Sequence, residues 1–480
     1  MLIRRVPPPI DFDDLRRELS LPTGFPAAAQ REAEEAVDRP PAGERADRTD
    51  IPFVTIDPPD ARDLDQAVSL VRRRGGYRVH DAIADVAAFV APGGALEEET
   101  WRRGQTVYLP DGKVPLHPET LSEDAASLLP DADRAAVLWT IDVADDGTPG
   151  SVRVERARVR SRAKLDYAGV QRHTDAGTLP EPIAALPDLG RLLLARAVDR
   201  GAISLPLPEQ ELENDGDGWR LVLRGPLAVE EYNAQISLLT GMAAAGIMLA
   251  GGVGLLRTMP PPRPAALDRL RVAARGLGID WPADTPAGGV IAALDPTEPR
   301  AAALLDHAAE LLRGAGYTAF DGQPPEQTGH GGVGAPYAHV TAPLRRLADR
   351  YATEVCLALT DGREVPGWAR AALPRLPKVM ADTDRVASAA QRGAVDLAEA
   401  VVLADRVGER FQVTVIDVDD PRPPAAGGRD GRARRVGGTV VLDEPAVRAR
   451  CEGTLPLGKR VEARLVTADP ARRQVLFALP

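Results

Sequence analysis

Aromatic side chains are scarce in this 480-residue chain, at 4%. Any core must therefore be filled mostly by Ala, Val and Leu. Lysine is nearly missing as well, with four residues, so the positive charge is almost all arginine. The two cysteines, Cys356 and Cys451, lie far apart and form no Cys-x-x-Cys pair. That argues against a disulfide framework, and the expected compartment is cytoplasmic. The first residues, Met-Leu-Ile-Arg-Arg-Val-Pro-Pro-Pro, lack the apolar segment of a secretory signal. No run of 18 apolar residues occurs. The nearest approach, 236–256, is interrupted by Ser237 and Thr240 and reads as a buried helix rather than a membrane span. Basic surface is also short overall, since the net charge is −11. This excludes a protein coated in positive charge but not a basic channel, because binding follows the local field.

What is present starts from length and apolar content. The length suggests two to four domains, and 44% apolar residues support a substantial core. The most informative stretch is Phe53-Val-Thr-Ile-Asp57-Pro-Pro-Asp60-Ala-Arg-Asp63-Leu-Asp65-Gln66-Ala-Val. Phe53–Ile56 reads as a strand that stops at a Pro-Pro pair, and a second strand begins at Ala67. Four aspartates fall within nine residues between them. Crowded carboxylates raise one another's pKa unless a cation sits among them. Hard cations such as Mg²⁺ take one or two carboxylates together with water and substrate phosphate. Asp63 and Asp65 are two apart, so in an extended segment both point to one side. Asp57 can return to the same spot across the turn. The competing reading is a solvated acidic loop, but apolar strands on both sides favour a metal site.

This stretch resembles the signature of the ribonuclease II / ribonuclease R (RNB) exoribonucleases. The resemblance implies that Asp57, Asp63 and Asp65 hold Mg²⁺ or Mn²⁺, with Asp65 the most critical for catalysis. The last acid of the family cluster is Gln66 here, a neutral oxygen in the metal set. Further motifs agree in order. Ile83-Ala-Asp85-Val ends a hairpin (68–72 and 77–83), and Asp85 is either a helix N-cap or a carboxylate behind the site. Tyr108-Leu-Pro, Pro115-Leu-His117-Pro and Ser127-Leu follow. The resemblance makes Tyr108 a ring that stacks on an RNA base; the plainer reading is a core tyrosine. A partner ring is expected near 200–204, where only Ser204 stands. Glu230-Glu231 opens the apolar helix; Glu231 is either an RNA contact or an acid favoured by the helix dipole.

A second constellation, Tyr337-Ala-His339-Val-Thr341-Ala342-Pro-Leu-Arg345-Arg346-Leu347-Ala-Asp349, matches another family motif. Arg345 and Arg346 are placed at the start of a helix, where cations are disfavoured, so an anion nearby is expected. Arg345 is assigned to the scissile phosphate, and Arg346 to RNA or an ion pair. His339 reads as a buried structural histidine rather than a base. The family's Ser and Tyr are Ala342 and Leu347. On the helix at 381–404, Gln391 replaces a glutamate common in the family, making the site less acidic.

After residue 405 the pattern changes to short alternating strands at 411–418, 438–442, 461–467 and 474–479. Five short strands would make an OB-type barrel. From 421 on, twelve Arg and Lys face six Asp and Glu. Arg429, Arg432, Arg434 and Arg435 lie in a Pro/Gly/Arg linker that either grips RNA phosphates or hangs free. The expectation is an α+β protein. A leader (1–47) is too short for an N-terminal barrel, an RNB catalytic domain of mixed sheet wrapped by helices spans 48–404, and an OB-type barrel fills 405–480. It is expected to act as a monomeric, Mg²⁺-dependent 3′→5′ exoribonuclease on single-stranded RNA, with no membrane partner. The rival is an RNA-binding member with weak or no catalysis, motivated by Gln66, Gln391 and the missing clamp ring.

Overall fold

The computed structural model describes residues 10–39, 41, 43–205, 207–214, 219–419, 436–442 and 444–479. Strand Phe53–Ile56 sits inside a six-stranded mixed sheet. The order is Ala46–Asp47, Pro149–Leu165, Phe53–Ile56, Gln66–Arg73, Gly76–Ala84 and Asp133–Ala144. The last strand also pairs with Pro149–Leu165, so the sheet curls back on itself. Phe53–Ile56 runs parallel to the end of Pro149–Leu165 and antiparallel to Gln66–Arg73. Flanked on both sides, all four of its residues are buried.

The shortage of aromatics is met differently on the two faces of this sheet. One face carries Phe53 with small residues, among them Ala67, Ala82, Ala136 and Ala157. The other carries Val54, Ile56, Val68, Val79, Ile83, Ile141 and the fully buried Trp139, and packs against helices. Alternation along each strand assigns residues to faces.

The helix Ala228–Gly251 is the central helical element. Among the described residues it is the one helix long and apolar enough to cross a membrane by length and composition. It packs between the helices Leu186–Asp199 and Leu347–Thr360 and buries Ile236, Leu239, Ala244 and Met248 in the main core. Gly241 gives this packing its closest approach: a Cβ there would collide with the Tyr337 ring and the Ala338 carbonyl. Ala338 N–H in turn donates to the Gly241 carbonyl at 3.1 Å, which ties the 337–346 segment to the helix.

The leader forms the helices Asp13–Glu18 and Ala27–Val37, and the second packs on Ala95–Arg103. The C-terminal strands Arg410–Val418, Gly437–Leu442, Val447–Glu452, Arg460–Asp469 and Gln474–Ala478 close into a barrel. The one the pattern did not delimit is Val447–Glu452, whose alternating arginines obscure its buried Val447, Ala449 and Cys451. Phe411 and Phe477 meet edge to face at 5.6 Å inside this barrel, so neither is presented to a ligand. Several barrel cations are paired: Arg450 with Asp419, Arg410 with Glu462, Arg448 with Asp306. The four linker arginines Arg429, Arg432, Arg434 and Arg435 lie outside the described residues.

Two local expectations need correction. Arg345 and Arg346 precede their helix, which begins at Leu347, so Arg346 is its flanking residue rather than part of its first turn. Asp85 makes no capping hydrogen bond. Its carboxylate is buried between Arg45 (2.8 Å) and Arg156 (3.0 Å), an ion-paired anchor of the sheet.

Candidate active site

A cavity of about 820 Å³ opens where several chain segments meet, four of which supply most of its lining. They are the 57–66 loop, the hairpin of Val107–Leu109 and Gly112–Val114, the first turns of Ala228–Gly251, and the 337–346 segment. Asp57, Asp60, Asp63, Asp65, Gln66, Tyr108, Arg345 and Arg346 all line it.

The acidic loop is held by groups that take no part in chemistry. Leu64 is fully buried and acts as its anchor. The Leu64 N–H donates to Ser127 Oγ at 3.0 Å, while that hydroxyl donates to the Arg62 carbonyl at 2.6 Å. Leu128 N–H donates to the Leu64 carbonyl, and Asp57 N–H to the Leu165 carbonyl, both at 3.0 Å. With Leu64 pinned inward, its neighbours Asp63 and Asp65 turn the opposite way, into the cavity.

Asp65 is 5% exposed. Its Oδ1 accepts the Leu344 N–H at 2.7 Å and its Oδ2 accepts from Arg345 Nε at 3.3 Å. Burial pushes its carboxyl up to about 7, against the pull of Arg345 and the Leu344 N–H; Asp349 and Asp63 add to the rise. Burial likewise raises Asp57 to about 6, opposed chiefly by Arg345. Asp57 Oδ2 is buried with no hydrogen-bond partner. Asp63 is engaged at both oxygens: Lys113 Nζ lies 2.9 Å from Oδ1, and the Tyr108 hydroxyl donates to Oδ2 at 3.0 Å. Tyr108 is half exposed, with its ring on the cavity wall.

Gln66 is more constrained than a free ligand would be. Its amide Nε2 donates to both oxygens of Asp81, at 2.9 and 3.0 Å, and its Oε1 accepts from Ser237 Oγ at 2.8 Å. Asp81 is fully buried, also accepts from Thr240 Oγ1 at 2.6 Å, and is raised by burial to about 7. A carboxylate thus lies behind the amide, on the adjacent strand.

Arg345 keeps its side chain half exposed over the cavity. Arg346 is pinned to Asp349, with Nε 2.9 Å from Oδ1. Burial works against its charge, but Asp349 outweighs this and raises its pKa. His339 is held well below its ordinary value by burial and by Arg346, and its Nδ1 meets the Tyr317 hydroxyl at 2.6 Å. It is a neutral packing residue flanked by Tyr317 and Tyr337. His117 is also buried and held down, at about 4.

Other expected residues fall elsewhere. Glu230, not Glu231, lines the cavity; its Oε2 accepts the Leu227 N–H at 2.7 Å and it pairs with Arg224. Ser204 is exposed and contributes no ring. Gln391 is exposed on the helix Leu376–Leu403 and is not among the lining residues, so its neutrality does not bear on the cavity. The residues that sequence reading missed are Lys113, Glu123, Asp81, Asn233, Ser237 and a further cavity ring, Tyr167. Two signals were available: Lys113 is one of four lysines, and Asp81 interrupts a run of strand residues, Val79 to Ile83.

The donor set suits a hard divalent ion. It offers carboxylate oxygens, one of them orphaned on Asp57, and burial that penalises their charge. Among the described residues no three His, Cys, Asp or Glu side chains come together in a ready-made cage. An ion of this type completes its shell with water and substrate phosphate.

Comparison with known proteins bears on this cavity directly. The RNB domain model matches residues 45–359, and the RNase II-type exonuclease C-terminal S1 domain model matches 409–479. Ribonuclease R of Aquifex aeolicus is 26% identical over 98% of this chain and 70% of its own length. The chain spans 52% of the length of ribonuclease R of Escherichia coli, at 29% identity. Among solved structures, the apo form of Mycoplasma genitalium RNase R superposes with a TM-score of 0.82 at 20% identity, covering 98% of this chain and 77% of that one. Yeast Ssd1, described as a pseudonuclease, superposes with a TM-score of 0.68 at 16% identity over 95% of this chain and 54% of that one.

Proposed function

Since the chain belongs to the RNB-domain ribonuclease family, we propose that it hydrolyses single-stranded RNA from the 3′ end, releasing nucleoside 5′-monophosphates with Mg²⁺ or Mn²⁺. Members of the family depend on divalent metal. The observation that carries this reading is the convergence of Asp57, Asp63 and Asp65 on one cavity beneath a half-exposed Arg345.

The geometry supports the following roles. Asp57 and Asp65 would hold the ion, Asp57 through its unpartnered oxygen. When bound, the ion polarises the phosphate and lowers the pKa of coordinated water. Arg345 has exposed guanidinium N–H groups beyond its single bond to Asp65, and these offer charge-assisted hydrogen bonds to a phosphate. A charge fixed in place before reaction stabilises what develops on that phosphate. Arg346 takes a positioning role, since Asp349 occupies it. The Tyr108 ring, its hydroxyl tied to Asp63, gives the terminal base a stacking surface, and Tyr167 also lines the cavity.

A second reading, RNA binding with little catalysis, is favoured by the tethered Gln66 amide and by the likeness to Ssd1. Incubating 5′-labelled single-stranded RNA with the protein and Mg²⁺ or Mn²⁺ separates the two. A ladder shortening from the 3′ end is expected. Full-length RNA retained in a gel shift under both metals would refute the catalytic reading.

A further inference from the structure

Lys164 stands beside the acidic loop without lining the cavity. On the strand Pro149–Leu165 it lies opposite Thr55 of the neighbouring parallel strand. The next residue, Leu165, accepts the Asp57 N–H at 3.0 Å. The Lys164 ammonium donates to two carbonyls of the loop, those of Pro59 and Ala61. Between them Ala61 N–H donates to the Pro58 carbonyl at 3.1 Å, which closes a turn. A head with three N–H donors can hold both carbonyls at once through charge-assisted hydrogen bonds. Lys113 and Lys378 are spent on carboxylates. Lys164 is spent on neutral oxygens, in a loop that carries four aspartates.

The loop is thereby fastened at two places. Ser127 holds residues 62–64, next to Asp63 and Asp65. Lys164 holds residues 59–61, the stretch that separates Asp57 from those two. Asp57 needs such support, because its buried Oδ2 has no hydrogen-bond partner of its own. The ammonium is also near enough to Asp57 for its charge to act on that carboxylate. Geometry and charge then pull in opposite directions on a bound cation. A fixed turn keeps the two ligand carboxylates in register, whereas a positive charge beside them repels the ion.

We propose that Lys164 is a positioning residue of the carboxylate site: by clasping the 59–61 turn it holds Asp57 in register with Asp65, and it strengthens divalent-ion binding without touching ion or RNA. The proposal rests on the metal-dependent reading of the cavity but is tested by binding rather than turnover. Mn²⁺ affinity of the full chain without RNA is read from the electron paramagnetic resonance of the free ion. Lys164→Met should weaken it about 10–100-fold, as loss of a group that orients metal ligands does. The sign decides between roles, since removing a nearby positive charge would by itself tighten cation binding. Affinity for single-stranded RNA in EDTA should be unchanged, because Lys164 lies outside the cavity. Lys164→Arg, which keeps a charged donor, should restore most of the Mn²⁺ affinity. Should Lys164→Met fail to fold, Lys164→Gln, with a shorter and neutral amide donor, carries the same test. A folded Met or Gln variant that binds Mn²⁺ as tightly as the wild type, or more tightly, would overturn the proposal. So would an equal loss of RNA and Mn²⁺ affinity, the mark of a generally loosened fold. A wild type that binds Mn²⁺ but never shortens RNA would sink the proposed function and leave this proposal to the variants' affinities. No ion bound by the wild type at millimolar Mn²⁺ would sink both.

Discussion

Replacing Asp65 with Asn separates the chemistry of the site from its contribution to stability. The carboxyl is buried and raised from 3.8 to about 7. A folded pKa above the unfolded one means that stability is full below pH 4 and is lost as pH climbs through 7. At about 1.4 kcal/mol per pKa unit, ionising Asp65 in the apo fold costs on the order of 4 kcal/mol above pH 7. Asn removes that cost and keeps the bond from Leu344 N–H to Oδ1. It forfeits the bond from Arg345, whose side chain is half exposed, so the loss is about 0–1 kcal/mol. The D65N apo-protein should therefore be more stable than the wild type by roughly 3 kcal/mol at pH 8 and nearly equal to it at pH 4. Urea melts at the two pH values measure this. Shortening of labelled RNA should fall at least about a hundredfold, as expected when a preorganised charge is removed from the reacting centre. A D65N protein less stable than the wild type at pH 8 would show that Asp65 is satisfied in the apo fold. Retained activity would remove it from the reaction.

Three other substitutions probe the surroundings. Tyr108→Ala should weaken RNA binding on a D65N background by about 1–3 kcal/mol, measured by fluorescence polarisation, while Tyr108→Phe keeps most of the affinity because the ring is retained. Gln66→Asp introduces the acid that the resemblance leads one to expect there, yet places a carboxylate against buried Asp81. It should destabilise the fold by about 1–3 kcal/mol, and adding Asp81→Asn should recover most of that, seen as coupling in a double-mutant cycle. Glu399 is buried, raised by burial from 4.5 to about 7, and joins Gln210 Nε2 and the barrel's Arg448 N–H at one oxygen. Its contribution is present below pH 4.5 and lost through pH 7; Glu399→Gln keeps both acceptor bonds and should flatten the pH dependence by on the order of 3 kcal/mol in denaturant melts.

The strands around the acidic loop, the apolar helix and the terminal barrel were legible because each follows a simple local rule. Apolar alternation marks strands, a Pro-Pro pair ends one, and a long apolar stretch with two polar breaks marks a buried helix. The clustering of the three aspartates was legible through their spacing, while Arg345 came from the resemblance, since the helix start invoked for it lies two residues further on. What escaped depends on which distant groups meet. Nothing local to Lys113 reveals Glu123 and Asp63 beside it, and nothing local to Gln66 reveals Asp81 and Ser237 on its two sides. The exchange of Glu231 for Glu230 is a matter of helix phase: the capping bond from Leu227 N–H to Glu230 sets which residues of the first turns face the cavity. Gln391 misled for the opposite reason, since a matching position on a helix says nothing of where that helix faces.

The neutral Gln66 amide is backed by a buried carboxylate. A carboxylate at 66 would face the cavity; Asp81 instead sits one strand away and turns the amide so that its oxygen points toward Ser237 and the cavity. The amide is thus fixed by three hydrogen bonds. Lys113 holds Asp63 in a comparable way, through an ion pair at 2.9 Å. Among the described acids that line the cavity, Asp57 and Asp65 are the two whose charge burial makes costly in the apo fold, so divalent ions should raise the melting temperature of the wild type and leave that of an Asp57→Asn, Asp65→Asn double variant unmoved. Equal stabilisation of both proteins by Mn²⁺ would place the ion elsewhere.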